Sequence, residues 1–283
     1  MVKSKNSDLV AKYLEHIKTE KNLSEGTITT YTNIARTLDF SIMLSQRVLI
    51  KKLKDLYTNP NTLQLYLNML ILIRRYNDEP TDLLVKLRNG LRDEISKIRR
   101  ENLTTLEDTL PSHEYLTEQL GDTNGVRYII NYLIINHALR NKDLNLKIVG
   151  SEKDMDDQDQ NYMVISKRKK LIKLFINDYK TEKTHGTKKF EVSDLDFYKN
   201  VVAQGPGHLF QLKSGRKVKN PSTFNDRVQH MTIDRLGQNK MVKIVIKDLL
   251  NTKAFDKLEQ LSRDRGTSMA VLLKSYNLYA GEK

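Results

Sequence analysis

Apolar residues recur at three- and four-residue spacing over most of this chain, the period of a helix buried on one face. Leu9, Val10, Tyr13, Leu14 and Ile17 share one such face, and Ile28, Tyr31, Ala35 and Leu38 share a second. Asn22-Leu23-Ser24 breaks the pattern between them, with Ser24 as a candidate N-cap. A third apolar helix is predicted over 62–76, ending in Arg74-Arg75. Pro80-Thr81-Asp82 signals a fourth start, and Leu84, Leu87, Leu91, Ile95 and Ile98 continue it. Four such helices bury one another as a small bundle. From Glu101 to Pro111 the chain mixes polar residues with a proline and loses its period. The organisation predicted is a helical domain over 1–100, a linker over 101–111 and a second domain over 112–283.

The second domain changes pattern midway. A helix near 112–120 and a turn over 121–125 precede a nearly continuous apolar helix from Val126 to His137, which reads as buried. Strand candidates follow at 161–166, 171–179 and 187–193, with turns over 167–170 and 182–186: a small antiparallel meander. Helical patterns return over 194–203, from Pro221 to Arg235, and over 240–250, 255–263 and 268–279. The fold class is therefore mainly α with a small antiparallel β-meander.

Charge narrows the partner. The 283 residues carry a formal net charge of +13, which favours a polyanion, most simply nucleic acid. The polar face of the fourth helix carries Lys86, Arg88, Arg92, Lys97, Arg99 and Arg100, and the first strand turn carries Lys167, Arg168, Lys169 and Lys170. Both groups read as contacts to DNA phosphates. Without cysteine, disulfides, thiol catalysis and cysteine-ligated zinc are excluded. The six histidines show no metal-binding pairing, and no glycine-rich nucleotide loop is present, so no metal and no cofactor are expected. Asp154, Asp156, Asp157 and Asp159 lie in an acidic stretch that lacks the glycine and glutamate of a calcium loop, and it reads as a solvated loop. No apolar run reaches membrane-spanning length and the N-terminus lacks a secretory pattern, so an intracellular, non-membrane protein is expected. Abundant lysine, asparagine and isoleucine hint at an AT-rich genome, viral, mobile-element or bacterial.

Three stretches carry candidate chemistry. Ala138-Leu139-Arg140-Asn141-Lys142-Asp143-Leu144 closes the buried helix, Tyr179-Lys180-Thr181 to Gly186 forms the second strand turn, and Arg265-Gly266-Thr267-Ser268 leads to Tyr276 in the last helix. Their order, after a helical N-terminal domain, resembles the tyrosine recombinase (phage-type integrase) family over almost the whole chain. The resemblance implies an N-terminal core-binding bundle and a catalytic domain that cleaves and rejoins DNA through a 3′-phosphotyrosyl link. On it, Arg140 contacts the scissile phosphate, Lys180 (alternatively Lys183) is the general acid, and Tyr276 (alternatively Tyr279) is the nucleophile. Lys240-Met241-Val242-Lys243 matches the His/Lys-x-x-Arg box with lysine in place of arginine, and Arg265 stands near the histidine or tryptophan position. The implied partner is double-stranded DNA, bound as a dimer or tetramer.

These residue types suit phosphodiester transfer. Arginine forks stabilise charge on non-bridging oxygens, and cations favour the phenolate of a tyrosine. A lysine in place of arginine supplies a point charge where a planar fork is expected. That substitution supports a second reading, a recombinase-fold protein that binds DNA for architectural or regulatory purposes and cleaves weakly or not at all. Arg140 also reads as a helix C-terminal cap, favoured by the dipole. Tyr276, on a face with Met269, Leu272 and Leu273, also reads as a core tyrosine.

Overall fold

The structure, a computed structural model, describes residues 2–20, 25–107, 109–179, 186–212 and 214–276; at 3–4, 17–20, 25, 99–100, 102–107 and 274–276 it describes the main chain alone. The chain divides into two compact units, 1–103 and 104–283.

Among its described residues the first unit holds five helices: α1 (Val2–Glu20), α2 (Glu25–Thr37), α3 (Gln46–Leu56), α4 (Pro60–Tyr76) and α5 (Asp82–Glu107). Helix α3 is an addition to the four expected. It buries Leu49 and Leu53 and packs Ile50 beside them, with Lys51, Lys52 and Lys54 interleaved. Helix α5 continues through Glu107, so residues 101–107 of the expected linker are helical. The expected cap Ser24 lies outside the described residues.

The core of this unit joins Val10, Tyr13 and Leu14 of α1 to Tyr31 and Ala35 of α2, to Leu38 just beyond it, and to the leucine-rich face of α4. Pro60 opens α4 at a position where its missing N–H is not needed, and Asn59 Oδ1 accepts from Asn61 N and Thr62 N. Asn6 and Arg74 are buried polar side chains that satisfy main chain. Asn6 bonds the carbonyl of Phe40 and the N–H of Ile42. Arg74, 2% exposed, donates to the carbonyls of Ile42, Leu44 and Pro80 and to Glu79. These bonds hold the loops flanking α3 and α5.

The second unit surrounds a five-stranded sheet. Its strands are β1 (Leu146–Val149), β2 (Asn161–Ser166), β3 (Leu171–Ile176), β4 (Lys188–Val192) and β5 (Gly207–His208), in the order β4-β3-β2-β1-β5. The expected meander is its β2-β3-β4 part, paired antiparallel. The sheet as a whole is mixed, because β1 pairs parallel with β2 and β5 adds antiparallel to β1. Strand β1 is four residues long and pairs with strands distant in sequence, so no local alternation announces it. Around the sheet lie α6 (His113–Gly121), α7 (Gly125–His137), α8 (Leu195–Gln204), α9 (Pro221–Met231), α10 (Gln238–Asn251), α11 (Phe255–Arg265) and α12 (Met269–Tyr276). Helix α7 packs among the surrounding helices, and its Ile129, Ile130, Leu133, Ile134 and Ile135 are buried in one core cluster with strand residues such as Ile148, Met163 and Leu174. No described helix is long and apolar enough to cross a membrane.

Candidate functional site

The ends of two helices create the site. Helix α7 runs out of its apolar face at His137 and closes on Ala138, whose φ of 50° is left-handed. Helix α11 closes in the same manner at Gly266, φ 64°, where Gly266 N bonds Arg263 O and Thr267 N bonds Ser262 O. That pair of bonds is a Schellman closure, for which glycine at the left-handed position carries no Cβ penalty. Both helix ends leave carbonyls without intrahelical donors.

Two arginines supply the donors reciprocally. Arg265 donates from its guanidinium to the carbonyl of Ala138, and Arg140 donates from its guanidinium to the carbonyl of Arg265. Arg265 is 2% exposed, and Gln238, with its amide oxygen turned inward, accepts from both Arg265 terminal nitrogens at 2.8 and 3.2 Å. Arg140 is half-buried. A cation at a helix C-terminus also interacts favourably with the dipole, so the arrangement satisfies hydrogen bonding and electrostatics together.

Buried charges extend from this pair. Asp143 is fully buried; its Oδ2 accepts from Arg140 N at 3.2 Å and from Lys188 Nζ at 3.3 Å. Lys188, at the start of β4, also donates to the carbonyl of Asp264 at 2.8 Å and lies 4.3 Å over the ring of Tyr179. Burial pushes the Lys188 ammonium below its ordinary pKa, against the opposing pull of Asp143. Asp264 in turn shares a 2.7 Å hydrogen bond with His137 Nδ1 and accepts from Gln260 at 2.6 Å. The ends of α7 and α11 and the start of β4 are thus tied by hydrogen bonds that run through Asp143, Lys188 and Asp264.

Of the six catalytic candidates, Arg140 and Arg265 meet here. Lys240 and Lys243 lie on α10, the first exposed and the second half-buried, and neither is among the partners that the arginine pair engages above. Burial, then repulsion from Lys240, lowers the Lys243 pKa. Lys180, with its alternative Lys183, lies outside the described residues, as does Tyr279. Tyr276 ends α12 as helical main chain, and its side chain lies outside the description. Lys188, Asp143, Asp264 and His137 were not singled out from the sequence. A charged residue three positions beyond Arg140 was the available signal for Asp143; Lys188 and Asp264 are 76 positions apart and left none.

Among the DNA-contact candidates, Lys167, Arg168, Lys169 and Lys170 are all exposed on the turn joining β2 to β3. Lys170 takes φ 50° there. In the first unit Arg92, Lys86 and Lys97 are exposed on α5 and Arg88 is half-buried. Partial burial, then the nearby Arg92 and Arg75, lower the Arg88 pKa. The side chains of Arg99 and Arg100 lie outside the description.

No protein-family model matches the chain. No curated relative matches it either. A solved structure, "Crystal structure of XerA recombinase", is similar over 96% of this chain and 94% of that chain, at 13% identity and a TM-score of 0.38.

Proposed function

We propose that this chain binds duplex DNA through exposed basic residues, with an architectural or regulatory role, and that strand cleavage is weak or absent. The observation that carries this reading is the engagement of both arginines. Arg265 is buried with its guanidinium on Ala138 O, and Arg140 donates to Arg265 O. Phosphate clamping needs donors aimed at where charge develops in the transition state. Here one terminal nitrogen of each arginine is aimed at a helix-end carbonyl, and those of Arg265 also meet Gln238. The lysine at 243 adds a point charge where a second fork is expected.

DNA as the partner is supported by the net charge of +13, by the exposed Lys167–Lys170 turn and by the basic face of α5. The strand-cleaving reading, with Tyr276 as nucleophile and Lys180 as general acid, keeps one observation in its favour. Arg140 and Arg265, 125 positions apart, meet in the unit that carries α12. That reading requires Arg265 to release Ala138 O and turn toward a phosphate.

Titration of a fluorescent duplex against the full chain over a salt series tests the binding claim. The logarithm of the association constant should fall linearly with the logarithm of salt concentration. Affinity insensitive to salt, or no binding at low salt, overturns it.

A further inference from the structure

A second group of cations, at the β5 edge of the sheet, takes no part in the arginine site. Lys147 on β1 pairs directly with His208 on β5, so the two side chains leave the same face of the sheet. Beyond β5 the chain doubles back. Leu212 N bonds Arg216 O at 2.8 Å, and Gln211 bridges Lys217. The turn returns Arg216, Lys217 and Lys219 to the cavity that Lys147 and His208 line, an open volume of about 320 Å³.

Four cations here face two carboxylates, Asp156 and Asp157, and both carboxylates are engaged. Asp156 accepts from Lys147 Nζ at 2.9 Å on each oxygen and from the Tyr162 hydroxyl at 2.9 Å. Asp157 Oδ1 accepts from Asp159 N at 2.9 Å. Lys217 donates to Gln160 at 3.3 Å. Arg216 and Lys219 are exposed and meet no carboxylate among the described residues. Burial first, then Lys147 and Lys217, push the His208 imidazole below its ordinary pKa.

From this arrangement we infer that the cavity beside β5 is a phosphate-binding site. Its phosphate is a backbone phosphate of duplex DNA, an assignment of source that rests on the DNA-binding reading above. Arg216 presents a planar fork that matches two phosphate oxygens, and Lys219 and Lys217 add point charges beside it. Lys147, fixed by Asp156, forms the wall behind them.

The test compares the full wild-type chain with a cavity variant, Arg216→Gln with Lys219→Gln. A charge-matched control, Lys153→Gln with Lys199→Gln, alters exposed lysines elsewhere. All of the substituted side chains are exposed, and circular dichroism verifies that the variants fold. Inorganic phosphate is the first probe, followed by ³¹P line broadening. Wild type and control should broaden the signal at the same phosphate concentration, and the cavity variant should need at least tenfold more. Equal broadening by wild type and the cavity variant overturns the site. A duplex salt series is the second probe. The slope should fall by about 0.9 for each phosphate no longer neutralised, in the cavity variant alone. An unchanged slope with weakened phosphate binding overturns DNA as the source and leaves a site for a free phosphate. Weakened phosphate binding in the cavity variant, with no duplex binding by wild type, supports the site and fails the DNA-binding reading.

Discussion

Arg140 and Arg265 each donate a hydrogen bond to the main chain at the end of the other's helix: Arg265 to Ala138 O, and Arg140 to Arg265 O. Two residues that the sequence presents as catalytic candidates thus close the C-termini of α7 and α11 against one another.

Replacing Arg265 by alanine should therefore destabilise the second unit. It strips donors from the buried carbonyl of Ala138 and from Gln238, a loss of about 2–3 kcal/mol for charged hydrogen bonds of this kind. Denaturant unfolding followed by circular dichroism reads the change. Undiminished stability together with abolished DNA binding would instead assign Arg265 to phosphate.

Lys188 and Asp143 should behave as a coupled pair. Lys188→Met leaves a fully buried carboxylate without its cation, and a loss of about 3–5 kcal/mol is expected. Lys188→Met with Asp143→Leu should be more stable than Lys188→Met alone, since no unpaired charge remains. Additive losses in the double-mutant cycle would show that the two side chains act independently.

Asp156 should give stability an acid-sensitive component. The hydrogen bond from Lys147, then that from Tyr162, holds its pKa at about 2, below the ordinary 3.8. A depressed carboxylate pKa means that the folded state binds fewer protons. The contribution is then fully present above about pH 4 and is lost as pH falls through about 2. Unfolding midpoints between pH 5 and pH 2 should fall more steeply in wild type than in Asp156→Asn. Parallel profiles would contradict the assignment.

The exposed turn between β2 and β3 should contribute affinity without sequence preference. Replacing Lys167, Arg168, Lys169 and Lys170 by glutamine should weaken binding of unrelated duplexes equally and lower the salt slope by about 0.9 per phosphate no longer neutralised. Binding titrations on two unrelated duplexes check this; an unchanged slope would exclude the turn from the interface.

The sequence carried unequal signals for these elements. Strand β2 was legible to both ends, 161–166, and α7 was legible because its apolar run is bounded by a turn and by Leu139-Arg140. Helix α3 was missed although Leu49, Ile50 and Leu53 share its core face, because that stripe is short and interleaved with lysines. Strands β1 and β5 were missed because four and two residues carry no alternation, and their pairing is decided by partners far along the chain. In the site, Arg140 was visible at the end of an apolar helix. The roles of Arg140 and Arg265 as donors to carbonyls were not, since main-chain acceptors have no residue identity in a sequence. Lys188 was hidden for the same reason: its closest partner is the carbonyl of Asp264.

The chain is expected to hold DNA without cutting it. The direct measurement is denaturing-gel analysis of the full chain incubated with a nicked suicide duplex, under salt conditions where the noncovalent complex is saturated. The expected result is no protein–DNA adduct that survives denaturation, in wild type and in Tyr276→Phe alike. A covalent adduct formed by wild type and lost in Tyr276→Phe would contradict the account and assign strand cleavage to Tyr276.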